Sequence, residues 1–344
     1  MFLEFFGLRE QPFGVSPDPR FLYLGSGHLE ALASLYYGIE ANRGFLALVA
    51  RPGMGKTTLL FHLLQKFSPT ARTAFIFQTQ CNSREFMRFL LAEIGIENDV
   101  QDLVRMHEQF NRCLMQEARA GKRFIVVVDE AQNMDASVLE TVRLLSDFET
   151  PQAKLLQIIL AGQPTLADKL ASPALTQLRQ RITSLSGLSP FSPQETAGFI
   201  GHRLHVAGYK GQALFSPEAL DLMAEASEGI PRQINNYCFH SLTLACSMRK
   251  RTIDGGVVRQ VINDLDISRF MTDVEPTSTL SQLRSQISLS SDPVLQVPES
   301  HHEGKDTYKP VLASHKRGED KLSPAEAQQH MQDVSRLLRT WRSG

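Results

Sequence analysis

The stretch at 50–57 is the strongest constraint on how this chain folds. It reads Ala-Arg-Pro-Gly-Met-Gly-Lys-Thr and lies between an apolar run at 45–49 and a leucine-rich, helix-like segment at 59–64. A strand, a glycine-rich turn and a helix in this order form a phosphate-binding loop, whose backbone N–H groups and helix N-terminus point at phosphate oxygens. The sequence therefore predicts a P-loop at these residues.

Two side chains of the predicted P-loop carry its chemistry. Lys56 would reach the terminal phosphates of ATP, and the Thr57 hydroxyl would ligate Mg²⁺. The loop pattern G-x-x-x-x-G-K-[S/T] begins with glycine, whereas this chain has Ala50; alanine is the smallest substitute, so we expect the site to be retained. The alternative is a glycine-containing turn with an unrelated lysine. The predicted nucleotide-binding residues are Pro52, Gly53, Met54, Gly55, Lys56, Thr57 and Thr58.

A second motif follows the uninterrupted apolar run at 124–128. There, Asp129 and Glu130 stand at the end of a strand with no polar interruption. Downstream of a P-loop this is the Walker B arrangement, in which Asp129 holds Mg²⁺ through its waters and Glu130 polarises the water that attacks the γ-phosphate. Adjacent acids after a strand can also be a helix N-terminus. Their combination with the P-loop favours ATP and Mg²⁺ as cofactors.

Apolar runs that alternate with helical segments specify the fold class. Strands are predicted at 45–49, 74–77, 124–128, 155–160 and 182–185, and runs of this kind are typical of a parallel sheet buried on both faces. From Ser192 onward the pattern changes to helices only, near 193–207, 217–227, 231–249 and 254–265. The sequence therefore predicts a three-layer α/β domain followed by a small all-helical lid.

The two ends of the chain differ from this pattern. Residues 1–27 are rich in proline and aromatics and are predicted to form an ordered arm across the domain, passing with His28 near the adenine. Residues 28–190 are assigned to the α/β domain and 191–268 to the lid. The Ser/Thr-rich stretch at 269–323 is predicted to be disordered. An apolar stripe within 324–344 predicts a short amphipathic helix, which either docks a protein partner or folds back on the lid.

Composition narrows the compartment and the partners. The formal net charge is −1, so nothing global favours nucleic acid or a membrane surface. The four cysteines show no metal-ligand spacing, which is typical of reduced thiols in a cytoplasmic protein. No apolar run approaches the roughly 20 residues of a membrane helix.

We also expect His202 and His205, three apart on a lid helix, to be surface residues.

Many separate motifs over residues 1 to about 268 resemble one family. They include the N-terminal aromatic and proline motifs, Asp129-Glu130-Ala131-Gln132, Gly162-Gln163-Pro164, Leu178-Arg179-Gln180-Arg181 and Gly229-Ile230-Pro231-Arg232. Together they look like an AAA+ ATPase, and more narrowly like the ExeA-like ATPases of bacterial secretion and envelope biogenesis, which are similar to transposon-helper ATPases. The resemblance implies a sheet in the order 5-1-4-3-2, nucleotide held between the α/β domain and the lid, and a homo-oligomer that completes hydrolysis across a subunit interface.

The resemblance also implies roles for four polar side chains. Gln163 takes the position of a sensor for the γ-phosphate, and Arg232 that of the sensor arginine of the lid. Arg179 or Arg181 would be the arginine finger that acts on a neighbour's ATP, a contribution of about 10³–10⁵ in rate. The alternatives are a loop glutamine, surface ion pairs for the two arginines and a local pair for Arg232.

The function expected from the sequence is a cytoplasmic, Mg²⁺-dependent ATPase that drives assembly or regulation of a bacterial envelope, secretion or surface-polysaccharide system. With no membrane helix of its own, it would reach the envelope through a partner, for which the stripe at 324–344 is the candidate contact. The alternative is a DNA-associated regulator of transposition type. A nucleotide-gated scaffold with little turnover is less favoured, because Glu130 and the paired arginines are present.

Overall fold

A computed structural model describes residues 2–77, 79–96, 102–149 and 154–265. The segments predicted at 269–323 and 324–344 lie outside the described residues. The proposed boundaries between the arm, the α/β domain and the lid stay predictions.

Five parallel strands form one sheet at the centre of the α/β domain. They are β1 (Phe45–Val49), β2 (Ala71–Ile76), β3 (Arg123–Val128), β4 (Leu156–Gly162) and β5 (Ile182–Gly187). Their order is β2-β3-β4-β1-β5, which confirms the expected 5-1-4-3-2 order read from the other edge. Strand β4 lies in the middle and is buried along its whole length, whereas β5 is an edge strand with alternating exposure.

Helices cover the sheet and build the lid. The α/β domain and the arm contain α1 (Phe2–Phe6), α2 (Ser26–Glu40), α3 (Lys56–Phe67), α4 (Ser83–Glu93), α5 (Leu103–Arg119), α6 (Ala136–Leu145), α7 (Pro164–Ala171) and α8 (Thr176–Arg181). The lid contains α9 (Pro193–Val206), α10 (Pro217–Ser227), α11 (Pro231–Ser247) and α12 (Gly255–Leu265). Three lid helices begin with proline at a first-turn position, where its missing N–H costs nothing.

The main core lies between the sheet and the helices on one of its faces. Phe110 of α5 meets Phe124 of β3 edge to face, with ring centroids 5.5 Å apart, and both side chains are buried. Helix α4 begins with a capping box, in which Asn82 accepts the backbone N–H of Glu85 and the Glu85 carboxylate accepts that of Asn82. Local capping and long-range aromatic burial therefore agree in this half of the domain.

The N-terminal arm packs against the lid. Its apolar side chains Phe6, Leu8, Phe13 and Phe21 are buried in one core with residues of α9–α12. The buried Arg203 of α9 donates from Nε to the Pro12 carbonyl and places its guanidinium 4.9 Å from the centre of the Phe21 ring. The short lid helices present an apolar surface that the arm covers, and this pairing is too distant in sequence for local patterns to reveal.

His202 also corrects an expectation. Its neighbour on the helix face, His205, is exposed as predicted, but His202 is half-buried beside Tyr23 of the arm, with ring centroids 6.0 Å apart. Burial lowers the pKa of the His202 imidazole. The arm supplies this cover, so the spacing of the two histidines along the helix could not predict it.

Glu195 joins two helix N-termini beside residues 188–192, the connection between β5 and the lid. Its Oε2 accepts the backbone N–H of Ser192 at 2.8 Å within the capping box of α9, and its Oε1 accepts the N–H of Ser26 in the first turn of α2 at 2.6 Å. These backbone N–H groups of Ser192 and Ser26 lower the pKa of the Glu195 carboxyl to about 2. One carboxylate therefore ties the first lid helix to the α/β domain.

Candidate nucleotide-binding site

The P-loop conformation depends on its two internal glycines. Gly53 and Gly55 have φ of 81° and 86°, in the left-handed region that favours glycine. Ala50 needs no such freedom: it is buried, and its N–H continues the sheet by donating to the Gly162 carbonyl at 3.1 Å. Alanine at the first pattern position is therefore compatible with the loop geometry.

Lys56 and Thr57 begin helix α3 and point toward the acidic pair. The buried Lys56 Nζ lies 3.3 Å from the Ala50 carbonyl and 3.9 Å from Glu130 Oε1. Thr57 Oγ1 donates to Asp129 Oδ2 at 2.6 Å. The P-loop and the end of β3, more than 70 residues apart in sequence, thus meet at the carboxyl edge of the parallel sheet.

Glu130 is held in place by two amides. The residue has φ of 53°, and its Oε2 accepts from Gln132 Nε2 at 2.6 Å and from Gln163 Nε2 at 3.1 Å. Burial raises the pKa of this carboxyl, but the two amide hydrogen bonds and the positive charges of Lys56 and Arg232 together bring it below its usual range. Glu130 is therefore ionised at neutral pH.

The donor set fits a magnesium ion. Thr57 Oγ1 and Asp129 Oδ2 lie 2.6 Å apart and bring a hydroxyl and a carboxylate oxygen to one point beside the P-loop. Mg²⁺ is bound in proteins by one or two such oxygens, with substrate phosphates and waters completing the coordination. The predicted metal ligands are thus brought together.

A pocket of about 360 Å³ opens over the P-loop, within the usual range of ligand sites. Its walls come from the arm at 14–18, the P-loop, the carboxyl ends of β3 and β4 with Glu130 and Gln163, and lid residues that include Arg203 and Arg232. The arm and the lid therefore enclose one end of the pocket, and the predicted phosphate-binding residues form the other.

His28 contacts both the P-loop and Phe191, which lies in the connection between β5 and the lid. The side chain is buried, with Nε2 2.9 Å from the Met54 carbonyl and the ring 4.8 Å from that of Phe191 between centroids. A carbonyl only accepts, so Nε2 carries the proton. Burial lowers the pKa of the imidazole, which favours the neutral form.

Arg232 lies where the lid touches the P-loop. Its backbone N–H donates to the Gly53 carbonyl at 3.1 Å, and a Cβ added to Gly53 would lie 2.7 Å from Arg232 Cβ. The close approach of these two backbones explains why residue 53 is glycine. The guanidinium is also near enough to Glu130 to lower its pKa.

Arg179 and Arg181 lie on α8, away from this pocket. Arg179 Nη1 donates to the Ala171 carbonyl at 3.3 Å, and Arg181 Nη2 pairs with Asp147 Oδ1 at 2.6 Å. Neither arginine lines the pocket of its own chain. The remaining predicted residues, from the P-loop to Arg232, are brought together.

Several residues of the site were not predicted, and three of them are polar residues with a clear contact or place in the pocket. Gln132 contacts Glu130 and Gln163, Thr79 Oγ1 donates to the Glu130 carbonyl at 3.1 Å, and Arg203 lines the pocket beside the arm. Gln132 stood within a motif that carried the resemblance, so its place in the Asp-Glu-Ala-Gln run was a usable signal. Thr79 and Arg203 had none, because their partners are distant in sequence.

Comparisons with known proteins agree with this geometry. A family model described as AAA domain matches residues 39–170. General secretion pathway protein A of Aeromonas hydrophila is 40% identical over 252 residues, which are 71% of this chain and 45% of that protein. An uncharacterised HTH-type transcriptional regulator of Methanocaldococcus jannaschii is 26% identical over 278 residues, 70% of this chain and 66% of that protein. The chain thus spans less than half of the secretion relative.

Solved structures share the fold at low sequence identity. The Aeropyrum pernix ORC2 protein, in ADPNP-ADP complexes, aligns with a TM-score of 0.60 at 17% identity over 74% of this chain and 71% of that one. Cdc6p of Pyrobaculum aerophilum gives 0.58 at 19% identity over 80% of this chain and 78% of that one.

The strand order, the P-loop and the acidic pair at the end of β3 define an AAA+ protein of the P-loop class. Within that class, the chain is similar to General secretion pathway protein A. Among the described helices, none is both long and apolar enough to span a bilayer.

Proposed function

We propose that this chain is an AAA+ ATPase that binds and hydrolyses Mg-ATP. The observation that carries the proposal is the convergence of Lys56, Thr57, Asp129, Glu130 and Gln163 beneath one pocket, with the lid in contact with the P-loop. The ADPNP-ADP complexes of the Aeropyrum pernix ORC2 protein, which has the same fold, support nucleotide as the ligand.

Each side chain has a defined part in the proposed reaction. The P-loop N–H groups and Lys56 would bind the β- and γ-phosphates, and Thr57 and Asp129 would hold Mg²⁺. When bound, Mg²⁺ neutralises charge that develops on the phosphates. Glu130 accepts a hydrogen bond from the attacking water, and Gln163 senses the γ-phosphate. Arg232 transmits the phosphate state to the lid.

A pair of variants tests this assignment. Lys56→Ala should weaken ATP binding markedly in calorimetry, because it removes the ammonium group that would bind the terminal phosphates. Glu130→Gln should bind ATP normally but lose turnover, because an amide cannot accept the proton from water. Gln260→Met, on the exposed face of α12, is the control. Unchanged ATP affinity in Lys56→Ala would refute the P-loop assignment, and normal turnover in Glu130→Gln would refute the catalytic one.

We further propose that the subunits act as a homo-oligomer in which Arg179 or Arg181 reaches the ATP of a neighbour. Both lie outside the pocket of their own chain, which a role in trans requires. Mixing Arg179→Ala or Arg181→Ala subunits with Lys56→Ala subunits should restore part of the turnover at shared interfaces. No recovery in either mixture would contradict action in trans.

The system served by this ATPase is proposed from its relative. The 40% identity with General secretion pathway protein A supports a role in a secretion pathway. We propose that the chain drives assembly or regulation of a bacterial envelope or secretion system from the cytoplasm. We propose that residues 324–344 contact the protein partner. Pull-down with the full chain and with a chain that ends at 323 should recover envelope-system components only with the former. Salt-sensitive, high-affinity DNA binding would instead support the transposition-type alternative.

A further inference from the structure

We propose that Gln132 is a positioning residue that keeps Glu130 oriented while Gln163 contacts the γ-phosphate. The inference rests on the proposed function and adds a residue to it. Gln132 lies in the short 3-10 turn Ala131–Asn133 that follows β3 and is not among the residues that line the pocket.

Three hydrogen bonds join these residues in a closed triangle. Gln132 Nε2 donates to Glu130 Oε2 at 2.6 Å, and Gln132 Oε1 accepts the backbone N–H of Gln163 at 3.1 Å. Gln163 Nε2 donates to the same Glu130 Oε2 at 3.1 Å. Gln132 thus contacts both the acidic residue and the backbone of the sensor position, with both ends of one amide.

The surroundings of Gln132 are shaped for this arrangement. A Cβ added to Gly162 would lie 2.6 Å from Gln132 Oε1, so glycine at the end of β4 leaves room for the amide. Lys169 of α7 fixes the turn by donating from Nζ to the carbonyls of Gln132 and Met134, at 2.5 and 2.6 Å. Backbone, neighbouring strand and helix therefore all restrain the Gln132 side chain.

The two amides that donate to Glu130 Oε2 have different further contacts. Gln163 Nε2 has two hydrogens, one for Glu130 Oε2 and one for a phosphate oxygen, whereas the Gln132 amide donates to Glu130 without contacting the pocket. Gln132 is held through the Gln163 backbone and keeps its own bond to Oε2. Glu130 Oε1, which faces Lys56 at 3.9 Å, remains the oxygen for the attacking water. Loss of Gln132 therefore affects turnover and leaves ATP binding intact.

The test compares Gln132→Met, which keeps the length of the side chain, with Gln132→Glu, which keeps an acceptor for the Gln163 N–H but has no donor for Glu130. Gln260→Met is the matched control. We expect kcat to fall about 10- to 100-fold in both Gln132 variants, the range for a lost hydrogen bond to a charged group. The ATP dissociation constant from calorimetry should stay within about twofold of wild type. The control should match wild type in both measurements.

A double-mutant cycle tests the coupling to the sensor residue. Gln132→Met combined with Gln163→Met should deviate from the product of the single effects on kcat, since both amides serve one oxygen. The same cycle with Gln260→Met should be multiplicative. Independent effects of Gln132 and Gln163 would overturn the proposed coupling.

Other outcomes separate this inference from the proposed function. Normal kcat in Gln132→Met, with Glu130→Gln inactive, would overturn the positioning role and leave the ATPase intact. Equal losses of ATP affinity and kcat, with a lower melting temperature, would also overturn it, because they would show a purely structural role. Absence of ATP binding and turnover in the wild-type chain would instead refute the proposed function itself.

Discussion

Replacement of Glu195 by glutamine should lower the free energy of unfolding by an amount that depends on pH. The carboxylate accepts backbone N–H groups from Ser192 and Ser26, one at the start of a lid helix and one in the α/β domain. Glutamine, like a protonated carboxyl, has no charge and keeps only one acceptor oxygen, so its NH2 group faces one of the two backbone N–H donors. The perturbation therefore removes the charge and one of the two hydrogen bonds.

The lowered pKa of Glu195 sets an upper limit on the stability that its charge contributes. Its drop from 4.5 to about 2, at about 1.4 kcal/mol per tenfold change, limits the contribution to roughly 3 kcal/mol. Solvent screening of this partly exposed carboxylate reduces the expected loss in Glu195→Gln to about 1–2 kcal/mol at neutral pH. The folded-state pKa is depressed, so this stabilisation is complete above the unfolded value of 4.5 and is lost as the pH falls toward 2.

Urea denaturation of wild type and Glu195→Gln at pH 7 and pH 3.5 measures the effect. The difference in free energy of unfolding should shrink at pH 3.5 to roughly three fifths of its value at pH 7. Other titrating groups are common to both proteins and cancel. Glu225→Gln, at an exposed position of α10, should differ from wild type by less than about 0.5 kcal/mol at both pH values. A difference for Glu195→Gln that is absent at pH 7, or identical at both pH values, would refute the reasoning.

Three further predictions concern the loop, the core and the metal. Gly53→Ala should weaken ATP binding in calorimetry, since a Cβ there meets the lid at a φ of 81°; Gly201→Ala, with open space around it, should not. Phe110→Ala should lower the free energy of unfolding by about 3–5 kcal/mol, and the largely exposed Phe77→Ala by less than about 1 kcal/mol, both measured in urea. Removal of Mg²⁺ with EDTA should stop phosphate release, and Asp129→Asn should reduce it even with excess Mg²⁺.

The sheet and the phosphate end of the site were largely predictable. Continuous apolar runs fixed four of the strands to within a residue or two, and β2 begins three residues before its predicted start. The P-loop and the acidic pair were evident because each is contiguous in sequence. Strand order came from the resemblance, since local patterns do not specify which strands become neighbours.

Two helices were missed although the sequence carries a local signal for each, and other features depend on contacts between distant residues. Helix α6 was missed, although its apolar residues follow helical spacing, and α7 was missed despite Pro164 at its first position. The Gln132 triangle arises because the turn after β3 folds beside the end of β4; the Asp-Glu-Ala-Gln run marked the residue but not this contact. Glu195 showed a capping pattern with Ser192, but its bond to Ser26 spans 169 residues.

The packing of the arm in the lid core has a consequence for synthesis of the chain. Phe13 meets Phe215 edge to face, with ring centroids 6.5 Å apart, yet it leaves the ribosome about 200 residues earlier. At roughly 5–20 residues per second, the arm waits about 10–40 s for the helices that bury it. Its aromatics are exposed on the nascent chain throughout this interval, which makes them a natural recognition element for cotranslational chaperones. The lid therefore completes its folding only after the first and last thirds of the described chain have both been made.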